Sequence, residues 1–188
     1  MKRIAIFASG NGSNAENIIR YFQADSREAE VAVVITNKAD APVIGRAERL
    51  GVETIVLPGA DIRNPDIMLP LLAGRRIDLI VLAGFLLMIP SFLIAAYPGS
   101  IVNVHPSLLP KYGGKGMYGR HVHEAVVAAG EKETGITVHY VSEKCDEGEP
   151  IFQASIEVAL TDTAADVEAK IHQLEKEHFP RIIEDLLG

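Results

Sequence analysis

Ile77-Asp78-Leu79-Ile80-Val81-Leu82-Ala83-Gly84 is apolar at every position except Asp78 and the closing glycine. A short continuous apolar run of this kind is what a parallel strand looks like when both faces of its sheet are covered. Working outward, the same texture recurs at 2–8, 30–36, 52–57 and 100–105, so each of these reads as a strand. Helical patterns fall between them at about 13–24, 41–50 and 65–75, with a short one near 90–97. Strand and helix alternating in this way predict a parallel sheet joined by right-handed crossovers.

The texture changes after residue 106. A glycine-rich loop, Lys111-Tyr112-Gly113-Gly114-Lys115-Gly116, leads into a helix expected to run to about 129. Two strand-like runs follow at 134–141 and 150–158 with a polar loop between them, and they are expected to pair antiparallel and extend the sheet. Thr163 with Asp166 three residues on resembles a capping box for a last helix, in which Pro180 is expected to produce a kink. The fold class is therefore α/β: a Rossmann-like, mostly parallel twisted sheet with helices on both faces and an antiparallel extension in the C-terminal part. No repeat, low-complexity tract or linker divides the chain, which reads as a single domain over 1–188.

Composition narrows the partners. Of 188 residues, 48% are hydrophobic and 23% charged, the profile of a globular protein. A net charge of −7 argues against a nucleic-acid partner, which favours a basic face. The single Cys145 excludes an internal disulfide and a cysteine-based zinc site, and fits a cytoplasmic protein. Ile4-Ala5-Ile6-Phe7-Ala8 is too short for the apolar core of a signal peptide and reads as a first strand. No stretch reaches the roughly 18 apolar residues of a membrane span.

Between the first strand and the first helix lies Ser9-Gly10-Asn11-Gly12-Ser13-Asn14-Ala15. Backbone N–H groups at a helix N-terminus favour a phosphate, and glycines let it approach closely. From Gly10 the segment also satisfies G-x-G-x-x-A, the dinucleotide fingerprint. The second strand ends at Thr36-Asn37-Lys38 without the acidic residue that would take a ribose hydroxyl, although Lys38 leaves room for a phosphorylated dinucleotide. Phosphate loop, dinucleotide loop and plain tight turn all remain open from this motif alone.

The chemistry concentrates in Asn103-Val104-His105-Pro106-Ser107-Leu108-Leu109-Pro110. Residues two apart on a strand share a face, so Asn103 and His105 point the same way from its C-terminal end, where open α/β sheets bind ligands. An amide and an imidazole side by side can stabilise an oxyanion and move a proton. The other histidines read as structural. His139 looks like a packed strand histidine, and His172 and His178 sit on a helix without partners in view. His121 and His123, two apart on a helix, lie about 200° apart around its axis and do not converge on a metal. Cys145, unpartnered, makes a poor nucleophile.

These pieces together resemble the folate-dependent formyltransferases, over essentially the whole chain. The match runs through Ser9-Gly10-Asn11-Gly12-Ser13-Asn14, Leu82-Ala83-Gly84-Phe85, the Asn103–Pro110 string, Gly135-Ile136-Thr137-Val138-His139 and Asp146-Glu147-Gly148. The strand-end string fixes the reaction type, and the first glycine loop narrows the acceptor to glycinamide ribonucleotide. One departure is Glu149-Pro150, where a shorter Gly-Pro continuation is usual.

The resemblance implies formyl transfer from 10-formyltetrahydrofolate, as co-substrate and without a metal, to the amine of phosphoribosylglycinamide. It implies Asn103, His105 and Asp146 as catalytic residues, with the aspartate favouring the protonated, donating imidazole. Gly12, Ser13 and Asn14 should hold the substrate phosphate, and Glu175 the ribose. For folate it implies Arg63, the pterin-lining Leu86, Leu87, Met88 and Ile89, Asn103, and the backbone of Ser142, Glu143, Lys144 and Cys145. Residues 1–100 then form a phosphate- or nucleotide-binding half and 101–188 a catalytic and folate-binding half. Its partners would be small molecules, with no nucleic acid and no membrane, in a monomer or homodimer. Rival readings are a formyl-folate hydrolase, a transferase to another amine, an NADP-dependent oxidoreductase and a non-catalytic nucleotide-binding module; a hydrolase would be expected to carry an extra N-terminal domain.

Overall fold

The structure, a computed structural model, describes residues 1–24 and 27–188. One seven-stranded sheet runs through both halves. Its strands are β1 (Lys2–Phe7), β2 (Ala29–Thr36), β3 (Glu53–Val56), β4 (Leu79–Leu82), β5 (Ile101–His105), β6 (Glu133–Tyr140) and β7 (Pro150–Glu157). They lie in the order β3-β2-β1-β4-β5-β6-β7. The first five are parallel, and β6 and β7 add antiparallel. The central strand β4 is shorter than its apolar run, yet Asp78 N–H still donates to Arg3 O and Ala83 N–H to Phe7 O, so the ladder reaches past both ends.

The helices are α1 (Ser13–Gln23), α2 (Val43–Arg49), α3 (Gly59–Ile62), α4 (Pro65–Gly74), α5 (Ser91–Ala96), α6 (Arg120–Ala128) and α7 (Ala164–Leu187). Residue alternation on β1 divides the core in two. Ile4 and Ile6 pack with Ile18, Val43, Val122 and Phe179 of α1, α2, α6 and α7. Ala5 and Phe7 pack with Ile62, Met68 and Leu93 of α3, α4 and α5. Both faces are thus covered, which is why the central strands carry no polar alternation. Helix α3 escapes sequence reading because one turn is too short to show a period.

Helix α7 opens on the expected capping box, with Thr163 accepting from the Asp166 N–H and Asp166 accepting from the Thr163 N–H. It then continues through Pro180 to Leu187, where a kink was expected at the proline. Proline has no N–H for the carbonyl four residues back. That carbonyl, Lys176 O, accepts instead from Asn17 Nδ2 of α1 at 3.1 Å. A side chain from the neighbouring helix supplies the missing donor.

The strand order reverses direction at β1, so the carboxyl ends of β1 and β4 open a crevice at a topological switch point. The loops after β1, β4, β5 and β6 all gather around it.

Candidate active site

Asn103 and His105 do share a face at the end of β5, and the antiparallel neighbour β6 sets what they meet. Asn103 pairs in register with His139, and His105 with Thr137. The turn after β5 is pinned by Thr137, whose Oγ1 donates to Ser107 O at 2.7 Å and accepts from Leu109 N–H at 3.0 Å. His105 is only 4% exposed. Its Nε2 donates to Tyr112 O at 2.8 Å. A carbonyl only accepts, so Nε2 carries a hydrogen and Nδ1 is the nitrogen left to face Asp146. That nitrogen lies 3.5 Å from Asp146 Oδ1.

Asp146 is held by the glycine-rich loop. Its Oδ2 accepts from Gly114 N–H at 2.9 Å, and its backbone takes a positive φ of 56°. Loop 111–119 therefore touches both His105, through Tyr112, and Asp146, through Gly114. The unusual Glu149-Pro150 continuation joins β7 directly: Glu149 O accepts from Tyr140 N–H at 2.9 Å, and Pro150 pairs with His139 after a bulge. Gly148 permits this approach, since a Cβ there would lie 1.6 Å from Tyr140 O.

Sequence reading made His139 an ordinary strand histidine; the structure puts it inside the site. It is 3% exposed, and its Nδ1 donates to Tyr140 O at 2.8 Å. Its Nε2 is then an acceptor and takes a hydrogen bond from Asn103 Nδ2 at 3.1 Å. Burial lowers the pKa of His139, against the Tyr140 hydrogen bond and the Asp146 charge, and so keeps the ring neutral and accepting. The contact fixes the Asn103 amide with one Nδ2 hydrogen committed and the other free. The same Asp146 oxygen sits 3.8 Å from His139 Nε2, between two imidazoles. Two signals in the sequence pointed to it: its place at the end of the matching Gly135–His139 string, and register, since residue 139 lies opposite 103 once β5 and β6 pair.

At the other end of the crevice, Gly12 caps α1 with φ 77°, and no side chain caps the first turn. The uncapped N–H groups there suit an anion. A Cβ on Gly12 would fall 2.4 Å from Val43 Cγ2, so only glycine fits. Ser13 and Asn14 begin the helix, and Asn14 Nδ2 donates to Glu175 Oε2 at 2.9 Å. Glu175 is buried, and burial raises its carboxyl pKa, opposed by the Asn14 hydrogen bond and His172. The contact joins residues 14 and 175, so this end of the crevice draws on both halves of the chain. Arg46 of α2, which sequence reading passed over, straps the loop: it donates to Asn11 O at 2.8 Å, to Asn11 Oδ1 at 2.9 Å and to Glu16. At the end of β2, Asn37 accepts from Ser9 Oγ at 2.6 Å, a loop tie rather than a ribose contact.

The third part of the site follows β4. Leu86 and Met88 are 49% and 53% exposed, whereas Ile89 is buried in the core and Leu87 packs against it. Exposure alternates along these four residues, so Leu86 and Met88 face outward while Leu87 and Ile89 face the core. Ser9 Oγ accepts from Leu86 N–H at 3.0 Å, tying this segment to the first glycine loop. Arg63 is exposed at the end of α3, and its guanidinium and Leu87 both lie against Gly59. Beyond β6, Glu143, Lys144 and Cys145 are exposed, and Ser142 closes a local turn with Lys144. Cys145 donates to Asp146 Oδ2 at 3.6 Å, and partial loss of solvent around the sulfur together with the neighbouring carboxylate raises its thiol pKa, which disfavours the thiolate. Among the described residues no cluster of three His, Cys, Asp or Glu side chains is gathered for a metal, and His121 and His123 do not converge.

Residues 2–183 match the family described as formyl transferase. The chain belongs to that family. It is 38% identical over 192 residues to the phosphoribosylglycinamide formyltransferase of Bacillus subtilis (strain 168), covering 100% of this chain and 96% of that protein. The glycinamide ribonucleotide transformylase 1 structure from Geobacillus kaustophilus superposes with a TM-score of 0.90 at 38% identity, covering 100% of both chains. The phosphoribosylglycinamide formyltransferase structure from Bacillus halodurans gives 0.89 at 36% identity, covering 100% of this chain and 96% of that one. The formyltransferase resemblance and the α/β fold read from the sequence both hold.

Proposed function

We propose that this chain transfers the formyl group of 10-formyltetrahydrofolate to the amine of 5′-phosphoribosylglycinamide, giving formylglycinamide ribonucleotide and tetrahydrofolate in de novo purine synthesis. The family membership and the relatives' names support the reaction, and one observation carries its chemistry. An amide, an imidazole and a carboxylate meet at the end of β5, with His105 Nδ1 3.5 Å from Asp146 and Asn103 oriented by His139.

The folate supplies the activated formyl group. Asn103 donates its free Nδ2 hydrogen to the formyl oxygen as the acceptor amine attacks and negative charge gathers there. One such donor is worth about 2.7–4 kcal/mol of transition-state stabilisation. His105, protonated at Nδ1 and steadied by Asp146, donates to the same centre and passes a proton to the departing folate nitrogen. The formyl–folate C–N bond breaks as that proton arrives, and the proton the amine sheds on forming its new C–N bond returns to the His105 ring, so protons balance. Gly12, Ser13 and Asn14 bind the acceptor phosphate through the N-terminus of α1, with Glu175 at the ribose. Leu86 and Met88 offer apolar contact to the pterin, the backbone of 142–145 offers its edge groups, and Arg63 offers its guanidinium to the folate.

Residues 1–188 act as one domain, with the two halves sharing the site. The partners are small molecules. No described helix is long and apolar enough to cross a membrane.

An absorbance assay of folate release tests the reading. Release that requires phosphoribosylglycinamide is expected. Release without an acceptor would mean a hydrolase, and release with a different amine would mean another transferase.

A further inference from the structure

His121 and His123 both lie on α6, and the reaction above uses neither. His121 is exposed and packs edge-on to Tyr118. His123 is the opposite case. It is 2% exposed, and its Nδ1 is buried without a hydrogen-bond partner among the described residues. A buried polar atom left unpaired is costly and rare, and an apolar ring of the same shape would pack there without that cost. Such a group calls for a partner that arrives from outside.

The surroundings say where that partner sits. His123 lines a cavity of about 280 Å³ that runs from the Gly10–Asn14 loop to Val104 and Pro106 beside the catalytic strand. Glu168, His172 and Glu175 of α7 line the same space. Burial lowers the His123 pKa, with Glu168 pulling it back and the charges of His172 and His105 adding to the effect. An uncharged imidazole offers one donor and one acceptor, which suits hydroxyl and amide groups better than a phosphate dianion.

We propose that His123 is an acceptor-binding residue, its imidazole hydrogen-bonding the uncharged sugar–amide stretch between the phosphate and the amine. This rests on the acceptor reading above and adds a contact to it. The acceptor supplies the hydrogen-bond partner that the chain itself does not.

The test is His123→Phe, which keeps the ring and removes its nitrogens. The melting temperature of the unliganded protein should hold or rise. KM for phosphoribosylglycinamide should rise about tenfold, as for the loss of one hydrogen bond. KM for the formyl-folate and the inhibition constant of inorganic phosphate should stay within twofold. His123→Asn should recover part of the loss. A folded His123→Phe protein whose acceptor KM stays within twofold of the parent overturns the proposal. Imidazole NMR of the unaltered protein checks it without any substitution: His123 resonances should move on adding phosphoribosylglycinamide, and unmoved resonances at saturation overturn it. Turnover of the unaltered protein, measured alongside, separates the two levels. No acceptor-dependent turnover removes the assigned reaction, whereas normal turnover with an unchanged variant KM removes only the role of His123.

Discussion

At the scale of single residues, the site works by fixing which atom of each side chain can act. Tyr112 O holds the Nε2 hydrogen of His105, leaving Nδ1 to face Asp146. Removing that group in His105→Ala should lower kcat by roughly 10²–10³ with little change in either KM, and near-normal turnover would refute its role. His139 acts one step back, by accepting from the Asn103 amide. In His139→Leu that amide loses its anchor, and kcat should fall about tenfold, as for one neutral hydrogen bond. The circular-dichroism spectrum should be retained and both KM values should move less than twofold. A fall in folded content matching the fall in kcat would make His139 merely structural.

At the scale of elements, two contacts between helices and loops decide the geometry of the phosphate end. Asn17 of α1 gives Lys176 O the donor that Pro180 withholds, so α7 stays helical on either side of it and keeps Glu175 against Asn14. Arg46 of α2 ties Asn11 to Glu16, and its hydrogen bond, with that of Arg20, lowers the Glu16 carboxyl pKa. Without that strap the glycine loop loses its fixed path. Arg46→Ala should raise KM for phosphoribosylglycinamide about tenfold and weaken inhibition by inorganic phosphate in parallel. KM for the formyl-folate should not respond, and an equal rise in both KM values would show general loosening instead.

At the scale of the whole molecule, buried ionisable groups make stability depend on pH in two opposing ways. His123 and His139 have lowered pKa values, so the folded chain binds fewer protons than the unfolded one near the ordinary imidazole range. Their contribution is complete above that range and is lost as pH falls through it. Glu175 has a raised pKa, so the folded chain binds more protons, and stability falls as pH rises from the ordinary carboxyl value through the raised one. Glu175→Gln should therefore raise the melting temperature of the unliganded protein at neutral pH and steepen its rise with pH on the acid side, because the opposing contribution is gone. It should also weaken acceptor binding. Calorimetry across pH 4–8 checks the sign, and a variant less stable than its parent at pH 7 would contradict it.

The sequence by itself determined the order of elements apart from the one-turn helix α3, the parallel core and the reaction type. Apolar runs such as 77–84 and the capping box at Thr163 are local, and local patterns survive in one dimension. So does the Asn103–His105 pair, because two residues on one strand must share a face. Only the tertiary structure decided what those residues meet. The place of His139 depends on the register of β6 against β5, and the unpaired His123 depends on which face of α6 closes the cavity. Arg46 reaches Asn11 across 35 positions, and Asn14 reaches Glu175 across 161. Which of Leu86, Leu87, Met88 and Ile89 faces solvent depends on the core beneath them. Contacts between distant segments are set by how layers pack, and no periodicity within either segment encodes them.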